Sequence, residues 1–419
     1  MAYLTEDGIG AANRGNELAT PHYFTTVLVS IVAINIFTVL YHLLNSPLFN
    51  TISNASCIIL IGYAGITVIR SQNNTAANIV YIVAACILTF LSILFNFGNA
   101  SITEGIKYLS IYIFYAAGYA SATKIRAVEV RYVYFLAALP IFFFLAIGSS
   151  RVPEFVQLNI GNTFSYFANA NAATLYFSAL IFTMASRLGA RAILLQFVNV
   201  ALMNKVGVAV ATAIAVCLWI AIPLRKETII GLAIFAIIAV IAFWVGVFDR
   251  ALATFNSMGL LIDLGPDHVS RMSFRRLVEL TGTTDLSGFF RIIHWANIWD
   301  IYSNSSFLTI LFGYGIGQSQ HLTVLQFVPH NDYLRILAEY GFVNLIVFVC
   351  FMLHVLFNLN TGHTKVLFMV LLIYFFSENL IDHFPSMTLY FTYAGRFAAM
   401  PGKERPERRR IEGGPPFER

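Results

Sequence analysis

Charge is what this sequence has least of. Only 11% of its 419 residues are Asp, Glu, Lys or Arg, while 58% are hydrophobic; a soluble domain carries roughly a quarter charged residues. That balance excludes an ordinary soluble globule and reads as an integral membrane protein. Cysteine is nearly absent as well. Cys57, Cys86, Cys217 and Cys350 each sit inside an apolar run with no paired spacing, which excludes a disulfide framework and a thiolate metal site. No Asp-X-Asp pair occurs to hold a metal, and none is expected. Internal repeats are missing, as are charges strung along the apolar segments, so nothing suggests a transporter of two related halves around intramembrane ion sites. The opening "MAYLTEDGIGAANRGNELATPHYF" has no basic stretch leading into a short apolar core, and no removable signal peptide is expected.

What is present is apolar length. A helix needs about 20 mostly apolar residues to cross the hydrocarbon. Twelve such segments fall near 23–45, 52–69, 77–97, 103–122, 132–148, 170–186, 190–203, 206–224, 228–248, 340–358, 364–381 and 385–400. The seventh is short and is parted from the eighth by Asn204 and Lys205. With both termini cytoplasmic, the inner loops collect Arg70, Lys124, Arg126, Arg131, Arg187, Arg191, Arg225, Lys226 and Lys365, and the short outer loops only Lys107, Arg151 and Lys205. Basic residues favour the inner side. The expected organisation is therefore a cytoplasmic segment 1–22, nine crossings within 23–248, one long outer loop at 249–339, three crossings within 340–400, and a disordered, basic cytoplasmic tail 401–419.

The polar residues gather at the outer surface, which favours a site there over a conduit through the bilayer. In the long loop, "DLSGFFRIIHWANIWDIY" places Arg291, His294 and Trp295 on one face of a helix that could lie in the interface plane. Arg291 reads either as a snorkelling side chain or as a cation over a phosphate. "LFGYGIGQSQ" lacks the flanking strand and helix of a nucleotide loop, and reads as a tight turn allowing close backbone approach to a sugar. "VPHNDYLRILAEYG" sets His330, Asn331 and Asp332 in front of an apolar helix, with Asn331 or Asp332 as its N-cap. "LNIGNTFSYFANANAATLYF" opens the sixth crossing with Asn169 and Asn171, which either cap the helix or bind sugar or phosphate. Lys205 tips the hairpin on the same side. Glu378 and Asp382 in "SENLIDHF" are expected four apart on one face of the eleventh helix, snorkelling or serving as an auxiliary acid or base.

Taken together these motifs resemble the O-antigen ligase and polysaccharide polymerase superfamily: Gly161, Phe164, Asn169 and Asn171; Ser287, Gly288, Arg291 and Trp295 as S-G-x-x-R-x-x-x-W; Phe312, Gly313, Gly315 and Gly317; and His330, Asn331, Leu334, Glu339 and Gly341 as H-N-x-x-L-x-x-x-x-E-x-G. The resemblance spans about residues 155 to 358. It implies an all-α membrane glycosyltransferase of the GT-C type, without metal or other cofactor, in the bacterial inner membrane with its site facing the periplasm. Its partners would be an undecaprenyl-diphosphate-linked oligosaccharide donor, a glycan acceptor, the bilayer and a chain-length regulator, with no nucleic acid. Carried over, His330 is the base and Arg291 the diphosphate clamp. Lys205 stands where the family has a second arginine, and it lacks the bidentate fork that suits phosphate. Trp295, Asn169, Asn171, Asn331 and Asp332 are the expected substrate contacts. A polymerase is the preferred reading, from the form of "HNDYLRILAEYG"; a ligase to lipid A core or protein is the alternative, and a lipid-linked glycan flippase comes third.

Overall fold

The computed structural model describes residues 22–98, 100–147, 156–157, 164–165, 170–203, 205–220, 259, 264, 272, 274–282, 287–323 and 326–400. Nearly all of them are helical: α1 (Tyr23–Leu44), α2 (Pro47–Arg70), α3 (Ala76–Phe95), α4 (Ile102–Ala120), α5 (Ala127–Ile147), α6 (Ala170–Thr183), the single turn α7 (Ala185–Leu188), α8 (Ala190–Met203), α9 (Val206–Ile220), α10 (Phe274–Thr281), α11 (Ser287–Ser303), α12 (Phe307–Phe312), α13 (Asp332–Tyr340), α14 (Phe342–Asn358), α15 (Gly362–Tyr374) and α16 (Phe384–Ala399). A two-residue antiparallel pair, β1 (Val156–Gln157) with β2 (Phe164–Ser165), sets Val156 against Ser165 and Gln157 against Phe164.

The pattern on α3 shows what solvent this bundle expects. Val80, Val83, Ile87, Phe90 and Leu94 recur at steps of three and four residues and all point outward, while Asn78, Ala85, Thr89 and Ser92 point in. A water-soluble helix does the reverse. Apolar stripes left outside and small or polar residues packed within are the arrangement of helices in lipid, and by length and hydropathy α3, α2 and the stretch Tyr23–Tyr41 of α1 each suffice to cross a bilayer. This is the architecture of an integral membrane protein. Its tightest seam joins α4 to α16. A side-chain carbon on Gly118 would lie 2.0 Å from the Thr392 carbonyl oxygen, and one on Gly395 2.0 Å from that of Tyr115, so only glycine lets the two backbones meet.

Two helices depart from the apolar pattern. The tenth apolar segment is preceded by a separate helix, α13, and Gly341 with φ +87° breaks the chain between α13 and α14. The eleventh segment was expected to stay helical to 381, but α15 stops at Tyr374 and residues 375–383 form a non-helical connection into α16. The polar run "SENLIDH" is the physical reason, because its groups hydrogen-bond with neighbouring elements instead of continuing the helix. Consequently Glu378 and Asp382 do not share a helix face. The ninth expected crossing, 228–248, and both termini lie outside the described residues.

Candidate active site

Four elements converge at one end of the bundle: α11, the N-terminus of α13, the connection 375–383 and the N-terminus of α9. Asn331 caps α13 by accepting the Leu334 N–H at 3.0 Å through its side chain, as a helix-initiating asparagine should. That cap fixes the residue before it, His330. Asp332, the first residue of α13, is fully buried; its Oδ2 accepts the N–H groups of Leu380 at 2.6 Å and Ile381 at 3.1 Å, and its own N–H donates to the Phe375 carbonyl at 2.8 Å. Asp332 thereby staples the connection 375–383 to α13. Burial pushes its carboxyl well above the usual carboxylate range, against the pull of Arg335. Expected as a substrate contact, Asp332 instead turns inward onto backbone.

The staple brings Glu378 between two groups the sequence places far apart. Its Oε1 pairs with Arg291 Nη2 at 2.9 Å and its Oε2 lies 3.1 Å from His330 Nδ1. Arg291 Nη1 also donates to the Ser377 carbonyl at 3.0 Å, which leaves three of its five N–H donors for another partner. The carboxylate is nearly buried while His330 remains 44% exposed. When Nδ1–H donates to Glu378, the Nε2 lone pair is the free face of the ring. A buried carboxylate orienting an accessible imidazole beside an incompletely satisfied guanidinium can take a proton from one reactant and neutralise charge on another.

α11 supports this arrangement with a second histidine. His294 is buried, with Nε2 2.9 Å from the Phe327 carbonyl and Nδ1 3.0 Å from Thr323 Oγ1, so both nitrogens are spent on holding the segment that leads to His330. Burial pushes its pKa below the ordinary 6.5, against the carbonyl hydrogen bond. Trp295 is half-buried, and its indole nitrogen has no hydrogen-bond partner among the described residues. Lys205 precedes α9, and two residues on, Gly207 packs so closely on Ser377 that an added carbon would come within 2.6 Å of its hydroxyl. The α9 N-terminus therefore abuts the residue whose carbonyl holds Arg291. Asn171 lies in the first turn of α6, half-buried; Asn169 lies outside the described residues.

The glycines of "FGYGIG" serve packing. A side-chain carbon on Gly313, φ +79°, would come within 2.3 Å of the Glu339 carbonyl, and one on Gly341 within 2.2 Å of that of Leu311. Tyr314 and Gly315 donate to the carbonyls of Ala338 and Glu339 at 2.8 and 3.2 Å. The close backbone approach expected toward a sugar is made to the C-terminal end of α13. Behind it lies an ionic cluster built on the buried pair Arg335 and Glu339. Arg335 pairs with Glu339 at 3.2 Å, Glu104 at 3.0 Å and Asp382 at 2.7 Å, and Glu104 also pairs with Lys107 at 2.7 Å. Burial alone would raise the Asp382 carboxyl; the Arg335 guanidinium outweighs it and holds the group below the usual range.

Residues 191–349 match the family model described as O-antigen ligase. No curated protein matches the chain. The matched stretch runs from α8 to the middle of α14 and includes Lys205, Arg291, Trp295, His330, Asn331 and Asp332, while Glu378 lies beyond it. It supports the resemblance drawn from the motifs and, with the apolar helices, a membrane-embedded role in glycan transfer of the ligase or polymerase type.

Proposed function

We propose that the chain is a polysaccharide polymerase that moves an undecaprenyl-diphosphate-linked glycan onto the next lipid-linked repeat unit at the periplasmic face of the bacterial inner membrane. The observation that carries this reading is Glu378, whose two oxygens hold Arg291 on one side and His330 on the other. In the reaction, His330 Nε2 takes the proton from an acceptor hydroxyl as that oxygen bonds to the anomeric carbon of the donor. The bond from that carbon to the diphosphate oxygen breaks, its electron pair leaves with the lipid diphosphate, and Arg291 receives the developing charge through its remaining donors. Attack opposite the leaving group inverts the anomeric centre. Lys205 supplies a second cation from the α9 side, and Asn171 and Trp295 line the approach. Asn331 and Asp332 act through position, the first by capping α13 and the second by stapling the Glu378 segment to it.

The test is chain-length and carrier analysis of exported glycan in a deletion strain complemented with wild type, His330→Ala or Arg291→Ala. Long chains only with wild type, and single repeat units in both variants, are expected. Loss of the base costs about 10²–10⁴ in rate and loss of the clamp about 10²–10³. Full-length polymer stranded on undecaprenyl diphosphate would mean a ligase instead. Wild-type chain lengths in both variants would remove His330 and Arg291 from the chemistry.

A further inference from the structure

α12 falls within the long outer loop expected at 249–339, yet it presents an apolar face. Phe307 is 72% exposed with Leu308 exposed beside it, and Phe97, in the turn after α3, is 87% exposed. Bare apolar surface of this size is unfavourable in water. The packing of α12 identifies what covers it. The helix rests against α3 and α14. The Phe312 ring stacks on Phe95 of α3 with 4.6 Å between centroids, and Leu308, one turn earlier, shares the face of Phe312. Both neighbours carry outward apolar stripes up to this point, Ile87, Phe90 and Leu94 on α3 and Phe342 and Ile346 on α14. α12 therefore extends a surface that already faces hydrocarbon.

The residues just before α12 mark the edge of that surface. Trp299, Asp300, Ser303 and Asn304, at the end of α11, are exposed; a bare carboxylate belongs in water or among headgroups, and an exposed tryptophan suits headgroup depth. The backbone of α12 is suited to a place without water, where end carbonyls need partners from the protein itself. The Thr309 carbonyl accepts the Gly313 N–H at 2.7 Å, that of Ile310 the Tyr302 hydroxyl at 2.5 Å, that of Phe312 the Ser92 hydroxyl at 2.9 Å and that of Gly313 the Asn96 amide at 3.3 Å. The first N–H groups adjoin the polar stretch 303–306, where the Ser306 hydroxyl accepts the Thr309 N–H at 3.3 Å. We infer that α12, together with Phe97, is sunk into the lipid leaflet on the side of the site, with acyl chains as the partner of its apolar face. α12 links α11, which carries Arg291, to the segment that leads to His330, so the embedded helix holds both groups at the level of the headgroups.

The test uses the full chain in lipid vesicles with one tryptophan added at a time. Phe307→Trp and Phe97→Trp probe the face, Ile87→Trp is the lipid-facing reference, and Arg275→Trp, where the arginine side chain is 90% exposed on α10, is the aqueous one. All four positions are exposed, so each new ring is accommodated without repacking. The added fluorescence, after subtraction of the wild-type signal, is quenched either by lipid brominated on its acyl chains or by acrylamide in the water. Both probe variants are expected to lose as much emission to the brominated lipid as Ile87→Trp does, and little to acrylamide. Quenching by acrylamide to the extent seen in Arg275→Trp would overturn the inference and return α12 to the aqueous loop. Emission that neither quencher reaches would overturn it as well, because protein would then cover the face.

Discussion

Two arginine clusters flank the connection 375–383, alike in composition and opposite in state. Arg335 has a carboxylate on each of its three nitrogens, from Glu339, Asp382 and Glu104, and its side chain is 7% exposed. Arg291 has one carboxylate and one carbonyl, and is 27% exposed beside a still more open His330. The difference teaches which cluster can exchange partners. A guanidinium that has already traded its water for three fixed carboxylates gains nothing from a phosphate, whereas one with unspent donors at the rim does. The closed cluster ties α4, α13 and the connection into one body; the open one hangs from that body and is held in place by it.

The hardest way to break the contrast is to remove the closed arginine. Arg335→Met leaves the buried Glu339 without its cation and removes a partner from Asp382 and Glu104, the second of which keeps Lys107. Breaking a buried pair from one side costs about 3–5 kcal/mol, comparable to much of a domain's net stability. The expected outcome is loss of monodisperse protein in detergent and of all activity together, in contrast to Arg291→Ala, which should purify normally. If Arg335→Met keeps its melting temperature, the cluster is not the scaffold described.

A smaller effect should come from the residue that joins the open cluster. Glu378→Gln keeps the size and one acceptor but removes the charge shared by Arg291 and His330. A hydrogen bond to a charged group is worth about 1.5–3 kcal/mol, which as barrier height is about ten- to a hundredfold in rate. The loss should appear in kcat with little change in melting temperature. An effect on stability with unchanged kcat would make Glu378 part of the scaffold instead.

The sequence made much of this legible, and the failures have a common cause. Helices were readable because lipid-facing stripes and caps are local: α8 spans 190–203 as expected, and Asn331 caps α13. Arg291 and His330 stood out because charge is scarce. In the sequence Glu378 reads only as a snorkelling or auxiliary group on a helix face, since apolar length alone carries the eleventh segment to 381. What ends α15 at Tyr374 is tertiary, the hydrogen bonds of Asp332 to Leu380 and Ile381 from 48 and 49 residues away. The polar run "SENLIDH" was the available signal, and it marks a turn as well as an ion pair. The glycines near Gly313 misled for the same reason: positive φ was readable, but the surface approached was the end of α13 and lay elsewhere in the chain.

The smallest expected effect sharpens the comparison through pH. His383, next to Asp382 on the closed side, has its Nδ1 2.7 Å from Ser386 Oγ, and burial drops its pKa from 6.5 to about 4. His294, beneath the open site, is lowered by burial as well. A histidine whose folded pKa is depressed binds fewer protons in the folded than in the unfolded state. Its contribution to stability is therefore complete above pH 6.5 and is lost as pH falls toward the folded value. Asp332, with its carboxyl raised, works in the other direction, since acid relieves the burial of its charge. Differences between variants cancel that common term. His383→Gln, which retains a hydrogen-bonding side chain toward Ser386, should flatten the fall in melting temperature between pH 6.5 and 4 by a few degrees, leaving kcat at neutral pH unchanged. His294→Gln should also flatten the fall on the acid side of pH 6.5, and it should lower kcat, because the bonds to Phe327 and Thr323 that steady the approach to His330 belong to the open side. Equal effects of the two substitutions on kcat would mean that the connection 375–383 does not separate a working face from a supporting one.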